Sequence, residues 1–216
     1  MPDLNFQILS ARADPAAAVP TLNFRLRIAN LRPELPVQNI ALRVQLQLEA
    51  TRRHYSPAEQ ANLVELFGAP DQWSRTLGRL LWTHALANVG SFVEETTIEL
   101  PIPCTFDFNV AATKYFHGLA GGDVPLTFLF SGTIFYRSAA GPLQIAQISW
   151  DLEAAYRMPV AVWQEMMDTF YPNSVWLRVR RDVFERLQQY KAAQVIPSWE
   201  QALTRLLDSS NREAPS

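Results

Sequence analysis

The segment that most constrains the fold runs from Val124 to Trp150 and reads VPLTFLFSGTIFYRSAAGPLQIAQISW. In an extended chain its first half is apolar on both faces, with Phe128 and Phe130 on one face and Leu129 on the other. Such a pattern is typical of a strand that is covered on both sides. The aromatic and β-branched content favours this strand over a buried helix. We therefore predict that the segment begins with the central strand of a sheet.

The second half of the segment predicts a return strand. Residues 137–142 have the composition of a loop longer than a two-residue turn. After the loop, Leu143 and Ile145 share one phase of an extended chain. Ile148 and Trp150 share the opposite phase. One extra residue moves every later side chain to the other face of a sheet, so this change of phase predicts a β-bulge.

Further strands are predicted before this segment, where apolar and polar residues alternate. The clearest run, from Ile40 to Leu48, has one apolar and one polar face. Pro101 and Pro103 indicate an edge strand or a strand start, because proline cannot donate a hydrogen bond to a neighbouring strand. The other predicted strands begin at Leu4, Leu22, Leu80, Phe92 and Cys104.

A short helical insertion near residues 56–78 interrupts the strands. Ser56 and Glu59 have the spacing of a capping box, in which each side chain bonds the backbone of the other residue. We predict that this helix ends at Gly68, since glycine readily adopts the positive φ of a helix end. Asp71 is predicted to cap a second short helix.

The hydrophobic period changes to that of a helix near residue 158. Apolar residues at i, i+3 and i+4 predict about three C-terminal helices over residues 158–208, followed by a flexible tail at 209–216. Residues 1–157 are predicted to form an antiparallel β-sandwich of about 7–8 strands, with the C-terminal helices packed on it. The predicted fold class is therefore α+β.

Composition excludes several functional classes. The formal net charge is −2, which lacks the basic excess that is typical of nucleic-acid-binding proteins. Cys104 is the only cysteine, so an internal disulfide is excluded. The sequence shows neither a signal peptide nor an apolar run long enough to span a membrane. We expect a cytoplasmic protein without a membrane span.

Few residues are candidates for catalysis. Cys104, His117 and Asp107 are the only set that resembles a nucleophile, a base and an orienting acid. The favoured alternative is that Cys104 is a buried packing residue and His117 belongs to a loop. The three histidines lack the spacing of metal ligands and no glycine-rich phosphate loop is present, so we expect no metal and no cofactor.

Candidate binding residues lie around the helical insertion. Arg52, Arg53 and Tyr55 follow the clearest amphipathic strand, and Trp73 and Trp82 lie in or next to the insertion. Arginine and aromatic side chains together are typical of the anchors of protein interfaces. The alternative is ordinary surface charge at the end of a strand.

These observations leave three functions open. The first is a non-catalytic interaction protein that binds another protein through residues 52–82. The second is a carrier of a small apolar ligand between the sheets and the C-terminal helices, where Met166 and Met167 can adapt to a ligand. The third is an enzyme that uses Cys104. A homo-oligomer is compatible with each of them.

The chain resembles a bacterial domain family of unknown function over nearly its whole length. The resemblance rests on five segments: RRHYSPAEQANLVELFGAPDQW, LLWT, LPIPCTFDF, LFSGTIFY and SWEQALTRLL. It implies no established activity and therefore no catalytic residue. It does imply an occurrence in gene clusters with nickel–iron hydrogenases. An accessory protein with a hydrogenase subunit or maturation factor as its partner is the role that this resemblance implies.

Overall fold

The structure, a computed structural model, describes residues 1–105, 110–138, 141–174, 177 and 179–213, with side chains as far as residue 210. It forms two compact units, Met1–Ser174 and Val175–Ser216. The strands are β1 (Leu4–Ala13), β2 (Thr21–Asn30), β3 (Val37–Leu48), β4 (Leu80–Val89), β5 (Glu95–Pro103), β6 (Asp123–Arg137), β7 (Leu143–Gln147) and β8 (Glu153–Pro159). The helices are α1 (Pro57–Asn62), α2 (Val64–Phe67), α3 (Trp73–Thr76), α4 (Val110–His117), α5 (Val160–Phe170), α6 (Arg181–Ala193) and α7 (Trp199–Glu213).

The strands form two antiparallel sheets in the first unit. One sheet has the order β1-β2-β5, and the other has the order β4-β3-β6-β7, with β8 also paired to β6. The sheets share one apolar core, in which Phe6 stacks on Phe130 with ring centroids 4.1 Å apart. Phe24 meets Phe128 edge to face at 5.1 Å. The α+β class and the antiparallel sandwich are therefore confirmed.

The central strand is β6, as predicted. It pairs with β3 on one side, and on the other side it pairs first with β8 and then with β7. Every residue from Val124 to Phe128 is buried, because this half of β6 is covered on both faces. Gly132 lies in the middle of the strand with φ 141°, and a Cβ atom there would lie 2.1 Å from the carbonyl oxygen of Ala41. A side chain at this position would therefore force β3 and β6 apart.

The predicted bulge in the return strand is instead a break between two strands. β7 ends at Gln147, and β8 begins only at Glu153. The N–H of Ile148 donates to the carbonyl oxygen of Gly132 at 2.9 Å, and this is the last contact of the β6–β7 pair. The side chain of Ile148 is buried. The chain then turns outward and places Trp150 in solvent. The change of phase in the sequence marks this turn.

The edge assignment from the prolines is confirmed, since β5 is an edge strand that contains Pro101 and Pro103. A strand over residues 104–110 was also predicted. The described part of that segment is not a strand, because Cys104 follows the end of β5 and α4 begins at Val110. Residues 106–109 lie outside the described residues.

The helical insertion begins with the predicted capping box. The Ser56 hydroxyl accepts from the backbone N–H of Glu59, and the Glu59 carboxylate accepts from the backbone N–H of Ser56. Gly68 ends α2 with φ 73°, in agreement with the prediction. Asp71 is not the cap of the next helix, because it lies in a 3₁₀ turn and Gln72 precedes α3. The proline of that turn starts the helical path earlier than the aspartate.

The C-terminal helices divide between the two units. Helix α5 belongs to the first unit, and its Trp163 and Met166 are buried in the core. Helices α6 and α7 belong to the second unit, where Phe184 and Trp199 meet with ring centroids 5.3 Å apart. Helix α7 continues to Glu213, beyond the predicted helix end at 208. The packing of α6 and α7 on the sandwich stays a prediction.

Candidate interaction site

The helical cap, which we define as residues Glu49–Arg79, brings most of the predicted binding residues together. Tyr55 meets Trp73 edge to face at 5.3 Å. Trp73 is buried, and its indole N–H donates to the carbonyl oxygen of Gly68 at 2.9 Å. Trp82 follows the cap in β4, where it is buried against Phe116 at 5.1 Å. These two tryptophans therefore pack inside the protein and are not surface anchors.

Arg53 is also enclosed. Its side chain is 8% exposed, and its guanidinium donates to the carbonyl oxygen of Asp123 at 2.7 Å and to that of Gly121 at 2.5 Å. It also donates to a carboxylate oxygen of Glu59 at 2.6 Å. The same oxygen accepts from the backbone N–H of Ala120 at 3.0 Å. This buried ion pair joins the helical cap to the start of β6.

The protonation states of this network follow from its contacts. Burial raises the pKa of Glu59, but hydrogen bonds from the backbone of Ser56 and Ala120 and from Arg53 outweigh burial, so its pKa lies below the ordinary value. Burial raises the pKa of Tyr55, whose hydroxyl donates to a carbonyl oxygen and lies 2.7 Å from the hydroxyl of Tyr115. Glu59 is therefore charged at neutral pH, and Tyr55 is neutral.

Two of the exposed arginines of the helical cap lie around one buried carboxylate. The carboxylate of Glu49 is buried and accepts a hydrogen bond from the Thr127 hydroxyl at 2.8 Å. Its second oxygen lies 2.9 Å from Nε of Arg79 and 3.8 Å from Nε of Arg52. The side chains of Arg79 and Arg52 are 56% and 59% exposed. We call these two residues the arginine pair, and with Glu49 they carry one net positive charge.

Sequence reasoning found Arg52 but missed Arg79 and Glu49. The residues next to Arg79, Gly78 and Leu80, are not typical of a binding motif. Glu49 continues the polar phase of β3, which predicts a solvent-exposed side chain. Only the bulge where β3 pairs with β4 and the turn that follows β3 bring them together. The sequence signal for Glu49 was its place in the polar phase of β3, next to a turn that contains Arg52 and Arg53.

The candidate catalytic residues do not form a reactive set in the described structure. Cys104 is buried, its thiol donates to the carbonyl oxygen of Ile102 at 3.3 Å, and burial raises its pKa to about 12. Very little thiolate is present at neutral pH, and thiolate is the nucleophilic form. The ring of His117 packs edge to face on Trp163 at 4.7 Å, and burial lowers its pKa. Asp107 lies outside the described residues.

Other kinds of site find little support where side chains are described. No group of three His, Cys, Asp or Glu side chains is placed to hold a metal ion among the residues described. In the same part of the chain, no helix is both long and apolar enough to cross a membrane. Met166, a residue predicted to adapt to an apolar ligand, is fully buried in the core of the first unit.

An open depression of about 660 Å³ lies on the solvent-facing side of the second sheet. Gly132 is one of the residues that line it. Its other lining residues are Ala41, Leu42, Arg43, Leu86, Ala87, Asn88, Ser131, Thr133 and Gln147. None of the predicted binding residues belongs to it, so it is separate from the helical cap.

The fold and the site together define a two-sheet α+β protein with a charged helical cap. The chain belongs to a family of unknown function, DUF6084, whose profile matches residues 1–215. No curated protein matches it.

Two solved structures show weak likeness to the chain. A protein described as a candidate late embryogenesis abundant (LEA) protein is 12% identical, with 74% of this chain and 73% of that chain covered and a TM-score of 0.30. A candidate ApaA protein from Bordetella pertussis is 16% identical, with 73% of this chain and 94% of that chain covered and a TM-score of 0.25. Neither likeness is close enough to support an argument about function.

Proposed function

We propose that this protein is a non-catalytic interaction protein that binds an acidic segment of another protein through the arginine pair. The observation that carries the proposal is the convergence of Arg52 and Arg79 on the buried carboxylate of Glu49. One carboxylate neutralises only one of the two guanidinium groups. A carboxylate from a partner would complete the charge balance, and arginine can bind it through two parallel hydrogen bonds.

The support beneath the arginine pair favours binding. Glu49 is fixed by the Thr127 hydroxyl, and its own N–H donates to the carbonyl oxygen of Pro125 at 2.9 Å. Because Glu49 fixes the position of Arg79 through a 2.9 Å hydrogen bond, less side-chain freedom is lost when a partner binds. The buried Arg53 contributes by joining the helical cap to the start of β6, and Trp73 contributes by packing against Tyr55 and Phe67 within the cap.

The partner follows from the family resemblance. It suggests a hydrogenase subunit or maturation factor, and a protein that acts as an accessory factor in the cytoplasm. The burial of the Cys104 thiol supports a role without covalent catalysis. The identity of the partner depends on the family resemblance, whereas the binding surface depends on the arginine pair, so an experiment can contradict one without the other.

A matched pair of variants tests the proposal. Arg52→Ala removes one arginine of the pair, and Arg12→Ala removes an exposed arginine of β1 that forms a similar ion pair with Glu99 at 3.6 Å. Both arginines are exposed, and Glu49 keeps Arg79 as a partner when Arg52 is removed, so each substitution should change the free energy of unfolding by at most about 1 kcal/mol. Tagged wild-type protein and both variants are used to capture partners from an extract of the host, and the captured proteins are identified by mass spectrometry.

We expect Arg12→Ala to retain the partner and Arg52→Ala to lose roughly tenfold in affinity, or about 1.4 kcal/mol. Raising the ionic strength should release the partner from the wild type, because exposed charges are screened by salt. Equal capture by the two variants would contradict a role for the arginine pair. Capture of proteins unrelated to hydrogenases would overturn only the assigned partner, and no capture by the wild type would count against the interaction function itself.

A further inference from the structure

Strand β7 has an open side that can pair with another strand. It pairs with β6 along one side, and no strand pairs with its other side within the described ranges of the chain. Its sequence, LQIAQ, contains no charged residue and no proline. Natural edge strands usually carry such residues, which prevent edge-to-edge association. The β5 edge of the other sheet does so through Pro101 and Pro103.

The hydrogen-bonding direction of β7 follows from its register. The N–H of Ile148 donates to the carbonyl oxygen of Gly132, which is directly opposite in the continuation of the β6–β7 register. Hydrogen-bonded and non-hydrogen-bonded pairs alternate along an antiparallel ladder. The N–H and carbonyl groups of Leu143, Ile145 and Gln147 therefore point away from β6, towards the open side.

We propose that β7 pairs with β7 of a second copy of this chain, antiparallel and around a twofold axis at Ile145. The three outward-pointing residues are symmetric about Ile145, so this axis pairs Ile145 with itself and Leu143 with Gln147. Each outward residue then finds both a donor and an acceptor, giving about six backbone hydrogen bonds across the junction. The two five-stranded sheets become one continuous sheet.

The side chains of β7 suit a second copy. An uncharged strand meets no like-charge repulsion when it pairs with itself, whereas opposed like charges destabilise a strand pair. Ile145 is 64% exposed, and the twofold axis would place it against its own copy on the same face. Trp150, which is 91% exposed, follows β7 closely in sequence and would extend towards the start of the other copy's β7, where Leu143 is exposed. Such a contact is self-complementary, as a twofold interface requires.

The oligomeric state in solution tests this proposal. Sedimentation velocity of the full chain across a concentration series should show a species of twice 24.5 kDa. Ile145→Lys should weaken association at least tenfold, because it places two positive charges together at the axis. Leu86→Lys is the matched control, since Leu86 is 75% exposed on β4 of the same sheet. It should associate as the wild type does.

Cysteine cross-linking tests the register. Ile145→Cys should form a linked dimer on mild oxidation, because residues paired across an antiparallel ladder lie within the Cα separation that a disulfide tolerates. Leu143→Cys alone should not link, but a mixture of Leu143→Cys and Gln147→Cys should. The buried Cys104 thiol contributes little background.

Three results would overturn the proposal. The first is a wild type that stays monomeric at the highest concentration. The second is association that persists in Ile145→Lys but is lost in Leu86→Lys. The third is equal cross-linking of the Leu143→Cys and Ile145→Cys proteins. The first excludes self-association, the second places the interface at β4, the opposite edge strand of the same sheet, and the third excludes the register. A circular dichroism spectrum matching that of the wild type shows that each variant is folded.

Discussion

The polar groups at the two ends of β6 differ in how far they are buried and paired. At its first end, the helical cap encloses two carboxylates and Arg53, and each ion has a partner of opposite charge. At its second end, β7 leaves backbone groups open and exposes Leu143 and Ile145. Helices lie over the first end, whereas the second end is bordered by β3 on one side and on the other only by the short strand β7. At the covered end only exposed side chains such as the arginine pair can contact a partner. At the other end the unpaired backbone groups of β7 can also do so.

The largest expected change in the free energy of unfolding comes from replacing the buried Arg53 side chain. Arg53→Met leaves the charged carboxylate of Glu59 buried without its guanidinium partner and leaves two carbonyl oxygens without a donor. Removal of one partner of a buried ion pair costs about 3–5 kcal/mol. We expect a loss of this size in the free energy of unfolding, measured with urea.

The control for this substitution is Arg12→Met, which removes an exposed arginine and should change the free energy of unfolding by less than about 1 kcal/mol. If Arg53→Met and Arg12→Met had equal small effects, Arg53 would have to be solvated and the helical cap would not be sealed. That result would remove the distinction between the two ends of β6.

A smaller effect is expected at the midpoint of β6. Gly132→Ala adds a Cβ atom that would lie 2.1 Å from the carbonyl oxygen of Ala41, at a φ of 141°. Conformations of this kind cost a non-glycine residue roughly 1–3 kcal/mol before any displacement of β3. We expect the free energy of unfolding to fall by at least this amount, with Gly78→Ala as the control because a Cβ atom there meets nothing within 4 Å. A Gly132→Ala protein as stable as Gly78→Ala would show that the two halves of β6 are not held in one continuous ladder.

The smallest effect is a dependence on acid. The folded-state pKa of Glu59 lies below its ordinary value, so the folded protein binds this proton less readily than the unfolded chain. The stabilisation from the ionised carboxylate is therefore complete above the unfolded pKa and is lost as the pH falls through the folded pKa. We expect the difference in unfolding free energy between the wild type and Glu59→Gln to narrow as the pH falls below the ordinary glutamate pKa of 4.5. A constant difference from pH 7 to pH 3 would contradict the ionised pair.

Local patterns predicted the parts of the fold that depend on neighbouring residues. The capping box needs only Ser56 and Glu59, and the edge position of β5 needs only the missing N–H groups of Pro101 and Pro103. The alternation along β3 predicted its buried and exposed faces because the period of a strand is two. These features were correct because no distant contact competes with them.

Features that depend on distant residues could not be predicted in this way. Arg53 binds carbonyl oxygens 68 and 70 positions further along the chain, so its sequence neighbours indicated a surface charge. Glu49 meets Thr127 across 78 positions and Arg79 across 30, where β3 pairs with β4. The change of phase after Ile145 has two solutions, a bulge or a break. The bond between Ile148 and Gly132 selects the break.

The length of β6 sets the distance between its two ends. A strand of 15 residues extends to about 50 Å at most, at about 3.3 Å per residue. A second copy joined at β7 would leave the helical cap of each copy unobstructed, so that the pair would present two arginine pairs at a fixed spacing. A target with two acidic segments would then bind far more tightly when the separation of its segments matches this spacing. The reason is that the second contact would form within a complex that already exists.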